Sequence, residues 1–211
     1  MTNSKTPQAS DALAVFTHTG SAPDRFELHD KGVVSQHGDT RDYAAFADIQ
    51  DLCLFASGPA AAGQVDNFAY RTDSAQDWTV VPSGTSDFPA FMDGFRSRYV
   101  EQRLPVLEAM IANGTRVPFR YIKAGEFPGL ETQELALSAQ GLHIGGATWP
   151  YESLKRIDLN DWTETVTLQD DSGKTVFSCL ATRILSSDLL VNLVYDQLGQ
   201  TAEYALSLIH I

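Results

Sequence analysis

One pattern is written twice in this chain. Phe26-Glu-Leu-His-Asp-Lys-Gly32-Val-Val returns as Glu134-Leu-Ala-Leu-Ser-Ala-Gln-Gly141-Leu-His-Ile. Eleven residues after Gly32 comes Tyr43-Ala-Ala-Phe46-Ala-Asp-Ile49, and ten after Gly141 comes Tyr151-Glu-Ser-Leu154-Lys-Arg-Ile157, an offset of 108 to 109 residues. Each copy runs on into an amphipathic helical stretch. Solenoid units repeat every ~20 to 50 residues, so a period of this size means two whole domains of roughly 100 residues each. The repeat fixes an architecture and says little about chemistry.

Local patterns fill in that architecture. Ala12–His18 reads as a first strand, and Arg25–His29 with Val33–His37 as a hairpin around Asp30-Lys-Gly32, where glycine supplies a positive φ without steric cost. Tyr43–Phe55 holds one or two strands, and 67–72 and 78–82 complete the set. Phe88, Phe91, Phe95 and Tyr99 then recur at spacings of 3, 4 and 4, placing four aromatics on one helical face. Ser86 and Asp87 read as its N-cap, Pro105 predicts a kink or restart near Arg103-Leu104, and Asn113-Gly114 ends it. After Gly114 the order recurs: strands at 115–122, 132–138, 142–144, 149–159, 164–169 and 175–181, then a helix over 188–198 capped by Ser186 or Ser187 and closed by Gly199. Asp170-Asp-Ser-Gly-Lys174 reads as a hairpin turn.

Strands first and one closing helix, twice over, is the plan of a pleckstrin-homology-like domain. The expected class is mainly β with C-terminal helices (α+β). Two tandem domains are expected, each a bent antiparallel sheet or small barrel plugged by an amphipathic helix. Phe26-Glu-Leu with Gly32-Val-Val, Leu104-Pro-Val-Leu-Glu with Asn113-Gly114, Gly141-Leu, and Trp149-Pro-Tyr-Glu-Ser-Leu with Ile157 together resemble a bacterial family of uncharacterised proteins built from tandem domains of this kind. The resemblance spans roughly residues 12–199. It rests on structural motifs, so it implies a fold and carries over no catalytic residue. Domain one departs from it, with Arg41-Asp-Tyr where domain two has Trp-Pro-Tyr. The expected division is a disordered leader 1–11, domain one with its helical connector 12–113, domain two 114–205, and a tail 206–211. Leu206-Ser-Leu-Ile-His-Ile211 resembles translated sequencing-adapter read-through and is set aside as non-native.

Charge narrows the function classes. The formal net charge is −12, with 8 basic and 15 acidic residues in 1–113 and 7 and 12 in 114–211. Neither half holds a basic surface able to neutralise a run of phosphates, which disfavours nucleic acid and bulk attraction to anionic membranes. The leader lacks the apolar core of a signal peptide and no run of 18 apolar residues occurs, so a cytoplasmic protein without a transmembrane segment is expected. Cys53 and Cys179 sit in apolar runs and read as small buried hydrophobes, without zinc-ligand spacing.

The chemistry-bearing residues do not assemble into a familiar site. His29 and His37, with Asp30 and Asp39, form one His/acid grouping, but the hairpin keeps the two rings apart, so no metal is assigned. His143 takes the strand position of Val34 and reads as a satisfied side chain. Nucleophile-elbow, Walker and His-Glu-x-x-His motifs are absent from the sequence. Acidic residues around Trp162, from Asp158 to Asp171, lack the spacing of a calcium loop. Two features stand out. Arg96, Arg98, Arg116, Arg120 and Lys123, with Arg103, form a basic set suited to an anionic headgroup or phospho-ligand. Trp149 and Trp162, with Trp78, are candidates for a partner surface. The expectation is a non-enzymatic interaction or adaptor module with an unknown protein partner and no cofactor; phospho-ligand binding is the alternative. The sequence gives no positive sign of homo-oligomerisation.

Overall fold

A computed structural model describes residues 6–18, 24–55, 67–160 and 165–199. The chain divides into two units, Met1–Arg103 and Leu104–Ile211. Both are mainly antiparallel β with a helix, the α+β class expected. No helix among the described residues is long and apolar enough to cross a membrane.

In the first unit, β1 (Ala14–His18), β2 (Asp24–Leu28), β3 (Gly32–His37) and β4 (Thr40–Ala45) form a sheet in chain order. A 3-10 turn at Phe46–Asp48 ends that ladder. A second sheet follows: β5 (Asp51–Phe55), β6 (Asn67–Arg71) and β7 (Thr79–Val81). Helix α1 (Phe88–Ala112) comes next, and its part up to Arg103 belongs to this unit. Its aromatic face fills the core. Phe91 lies 4.7 Å from Phe16 and 5.6 Å from both Phe26 and Phe68, by ring centroids. Phe95 meets Phe46, Phe68 and Tyr70 at 5.0 to 5.2 Å.

The second unit repeats the order. β8 (Val117–Ala124), β9 (Glu131–Ser138), β10 (Gly141–Ile144) and β11 (Ala147–Trp149) form one sheet. After a 3-10 turn at Tyr151–Ser153, β12 (Leu154–Asn160), β13 (Thr165–Asp170) and β14 (Thr175–Leu180) form the other. Helix α2 (Ser187–Gln197) closes it, with Leu189, Leu190, Leu193 and Val194 at 0 to 1% exposure.

Four details of the sequence reading change. The described strands form separate sheets and no closed barrel, because each 3-10 turn breaks the ladder between sheets and β1 meets the Thr85–Ser86 segment through one isolated bridge, His18 to Thr85, and the neighbouring Thr17–Ser86 bonds, without a strand ladder. Pro105 lies inside an unbroken α1. Pro105 and Glu101, whose carbonyl its missing N–H abandons, are both exposed, so that helix turn is open to solvent. Asp87 and Ser186, read as capping residues, instead enter their helices in left-handed conformation (φ 47° and 57°). Ser186 makes no side-chain cap bond, since capping needs an extended backbone at that position. Gly32 has no positive φ; a Cβ there would lie 2.5 Å from the Ala44 carbonyl oxygen and from the Tyr43 ring. Close approach, not turn geometry, demands this glycine. Gly141 answers to both, with φ +140° and a Cβ position 2.1 Å from the Trp149 carbonyl oxygen.

The tyrosine motif also slides. Ile49 N–H bonds the Phe46 carbonyl, and Leu154 N–H the Tyr151 carbonyl, each closing the same 3-10 turn. Phe46 therefore corresponds to Tyr151, not Tyr43, which lies on β4. The cause is strand length: β4 has 6 residues and β11 has 3.

Candidate functional site

The site begins with a strand edge. Ser86 N–H donates to the Thr17 carbonyl at 2.8 Å, and Thr17 N–H donates to Ser86 Oγ at 2.9 Å, so the backbone groups of Thr17 point away from β2. Backbone direction alternates along an antiparallel strand. The N–H and C=O of Val15 therefore also point outward, and among the described residues they meet no partner. Beside this edge lies an open groove of ≈ 450 Å³, lined by Leu13–Phe16, Leu28, Ser86, Asp87, Ala90, Gly94 and Arg98.

The helix supplies the other wall. Asp87, Ala90, Gly94 and Arg98 follow at spacings of 3, 4 and 4, the stripe beside the buried Phe88–Tyr99 face. Ala90 and Gly94 keep the wall low; a Cβ on Gly94 would touch Leu28 Cδ1 at 3.0 Å. Leu13 and Val15 are 57% and 43% exposed, two of the large apolar side chains this chain leaves in water. Arg98 Nη1 donates to the Gly94 carbonyl at 3.1 Å, occupying one of five guanidinium donors.

The second unit has the same edge, closed. Leu185 N–H donates to the Arg120 carbonyl, and Tyr121 bridges Ile184, as Thr17 and His18 do with Ser86 and Thr85. Arg120 thus corresponds to Thr17, and Pro118 to Val15. Proline has no N–H to offer, and it is a common guard on exposed edges. One unit presents a strand donor where the other has removed it.

The remaining sequence candidates lie as follows. Arg96 and Arg98 are half-buried on α1, and Arg103 donates to the Ala47 carbonyl. In the second unit Arg116 pairs with Glu134 at 3.1 Å, Arg120 is half-buried on β8, and Lys123 is exposed near its end. Trp149 is half-buried on β11. Trp78 is half-buried with Arg71 4.1 Å over its ring. Trp162 and the tail 206–211 lie outside the described residues.

His29 and His37 go to different carboxylates, Glu27 at 3.3 Å and Asp24 at 2.7 Å. His143 accepts or donates to Ser138 Oγ at 2.7 Å and Thr148 Oγ1 at 3.0 Å. Among the described residues no group of three His, Cys, Asp or Glu side chains is placed to hold a metal ion. Both cysteines are free. Burial, aided by Asp51 and opposed by Arg71, pushes the Cys53 thiol up to about 12, and burial raises Cys179 as well, so neither is a thiolate at neutral pH.

Sequence reasoning missed Glu27. It lies on the sheet face opposite Phe26, 1% exposed, with Arg25 Nε at 2.9 Å, Arg41 Nη2 at 2.7 Å and His29 beside it. Burial alone would raise its pKa. The His29 hydrogen bond and the charges of Arg41 and Arg25 outweigh that and hold it below the ordinary 4.5. A depressed carboxyl contributes stability that is present above its unfolded pKa and lost as pH falls through the folded one. Glu27→Gln is expected to cost about 2 kcal/mol at pH 7. In urea melts, the gap to wild type should shrink as pH falls below about 4.5; a gap that widens there would contradict this.

No protein-family model matches the chain, and no curated protein matches it.

Proposed function

We propose that this chain is a non-enzymatic interaction module of two tandem pleckstrin-homology-like domains. In this reading the first domain binds an extended protein segment as an added strand on β1, over the α1 groove. The observation that carries it is the outward, unpartnered backbone of Val15, flanked by exposed Leu13 and facing the low wall of Ala90 and Gly94. In strand addition, main-chain bonds supply affinity and flanking pockets supply selectivity. Both are available at this edge. Pro118 denies the same bond to the second unit, which assigns that domain a structural part. Four strands, three strands and a closing helix in each unit support the domain type. The protein works in the cytoplasm in this proposal, where free thiols such as Cys53 and Cys179 stay reduced.

The phospho-ligand reading, on Arg96, Arg98, Arg116, Arg120 and Lys123, has less behind it, since Glu134 already pairs with Arg116.

Selection of random peptides displayed on phage against the immobilised full chain tests the proposal. Val15→Pro removes the outward donor without touching a bond to β2, and Gly94→Met fills the groove. Each is expected to weaken the selected peptides at least 10-fold, the size of one lost main-chain bond with its neighbours desolvated. Peptides that ignore both variants, or a selection that enriches nothing, would overturn it.

A further inference from the structure

The groove carries opposite charges at its two ends, and its length is set by the helix. Asp87 is exposed at the entry of α1, and Arg98 stands eleven residues further along. At 1.5 Å per helical residue the separation along the axis is about 16 Å. A strand rises about 3.3 Å per residue, so the same length takes about five extended residues. The two walls run in opposite senses. Thr17 lies at Ser86, Phe16 against Phe91, and Leu28, the partner of Ala14, against Gly94. The Leu13 end of β1 therefore lies toward Arg98, and its Thr17 end toward Asp87.

We infer that the segment this groove takes is a five-residue extended stretch with a cationic residue at its N-terminal end, an acidic residue at its C-terminal end and a small apolar residue between. This rests on the docking reading above and specifies its ligand. The direction is antiparallel to β1, the sense in which Thr85 and Ser86 already pair with this edge. An antiparallel segment begins at Asp87 and ends at Arg98. Its leading cation then meets the Asp87 carboxylate, and its trailing carboxylate meets the four guanidinium donors that Gly94 leaves over. The second residue lies opposite Val15 and exchanges main-chain bonds with it, so the first, third and fifth side chains share the Ala14 and Phe16 face, toward Ala90 and Gly94, where a bulky central one would strike the helix. In a chain of net charge −12, Arg98 is the cation that lines this groove.

Two blocked pentapeptides separate this claim from the reading beneath it: acetyl-Lys-Thr-Val-Thr-Glu-amide and its charge-reversed partner acetyl-Glu-Thr-Val-Thr-Lys-amide. Both are titrated by fluorescence polarisation, with a dye on a short linker, into the full chain and into Arg98→Glu, Asp87→Asn and Val15→Pro. Wild type is expected to bind the first about 10-fold more tightly than the second. Arg98→Glu should erase or invert that ratio, Asp87→Asn should reduce it, and Val15→Pro should weaken both peptides together. Equal affinity of wild type for the two peptides, with both lost in Val15→Pro, overturns the charge pattern and leaves strand docking standing. Binding that survives Val15→Pro, or no binding of either peptide, overturns strand docking and the charge pattern with it.

Discussion

Phe95→Ala is expected to lower the stability of the first unit by about 4 kcal/mol. Phe95 has no exposed surface, and its ring lies 5.0 to 6.3 Å from those of Phe46, Phe68, Tyr70, Phe91 and Tyr99. Truncation removes the transfer free energy of the ring and leaves a cavity walled by rigid aromatics, which close around a void less readily than aliphatic chains. The tilted ring pairs add roughly 0.5–1.5 kcal/mol beyond burial. Domains of this size hold about 5–15 kcal/mol in all, so much of the margin disappears. The melting transition assigned to the first unit should fall by on the order of 20 °C. Ser97→Ala, on the exposed side of the same helix, should change it by less than ~0.5 kcal/mol. A Phe95→Ala loss below ~1.5 kcal/mol would mean that α1 does not anchor this core.

Gly141→Ala is expected to cost the second unit about 4 kcal/mol, through a different mechanism. The new Cβ would stand 2.1 Å from the Trp149 carbonyl oxygen, 2.8 Å from its carbon and 2.9 Å from Pro150 Cα. All three are backbone atoms, so no rotamer change relieves the clash and β10 must part from β11. A φ of +140° adds strain that any L side chain carries. The counterpart, Gly32→Ala, should cost the first unit less. Its φ is ordinary, and one of its two obstacles is the Tyr43 ring, which can swing aside. Guanidinium melts of both variants check the order, and equal losses would contradict the geometry.

The strand-and-helix order was legible in the sequence because apolar periodicity and turn residues act locally. Asp30-Lys-Gly32, the Phe88–Tyr99 stripe and the Asp170 turn all formed where their local patterns put them. In the last, Asp170 Oδ1 accepts from Ser172 and Lys174 N–H at 3.0 and 2.9 Å, which lowers its pKa, chiefly through the Ser172 hydroxyl. What local patterns could not show was context. The exposure of Pro105 decided whether a proline breaks a helix. The length of β4 decided which aromatic matched Tyr151, and close approach decided why Gly32 is glycine. The candidate site was less legible still. Arg98 was picked out, but for company with Arg116 and Arg120 and not for its place beside Gly94 and the β1 edge. Val15 looks like any strand valine until the repeat aligns it with Pro118, and that alignment needs the Thr17–Ser86 and Arg120–Leu185 bonds. Glu27 is invisible because, although Arg25 is its neighbour on β2, the closer cation Arg41 comes from β4, two strands away in the sheet.

The measurement that tests the central claim most directly is amide hydrogen exchange at Val15, followed by NMR in the free chain and with a phage-selected peptide bound. The account predicts an unprotected Val15 N–H in the free chain, slowed at least 10-fold by saturating peptide, while Phe16 N–H, bonded across to β2, is slow in both. An amide at Val15 that is already protected without peptide, or one that peptide leaves unchanged, would show that this edge is not where a segment docks.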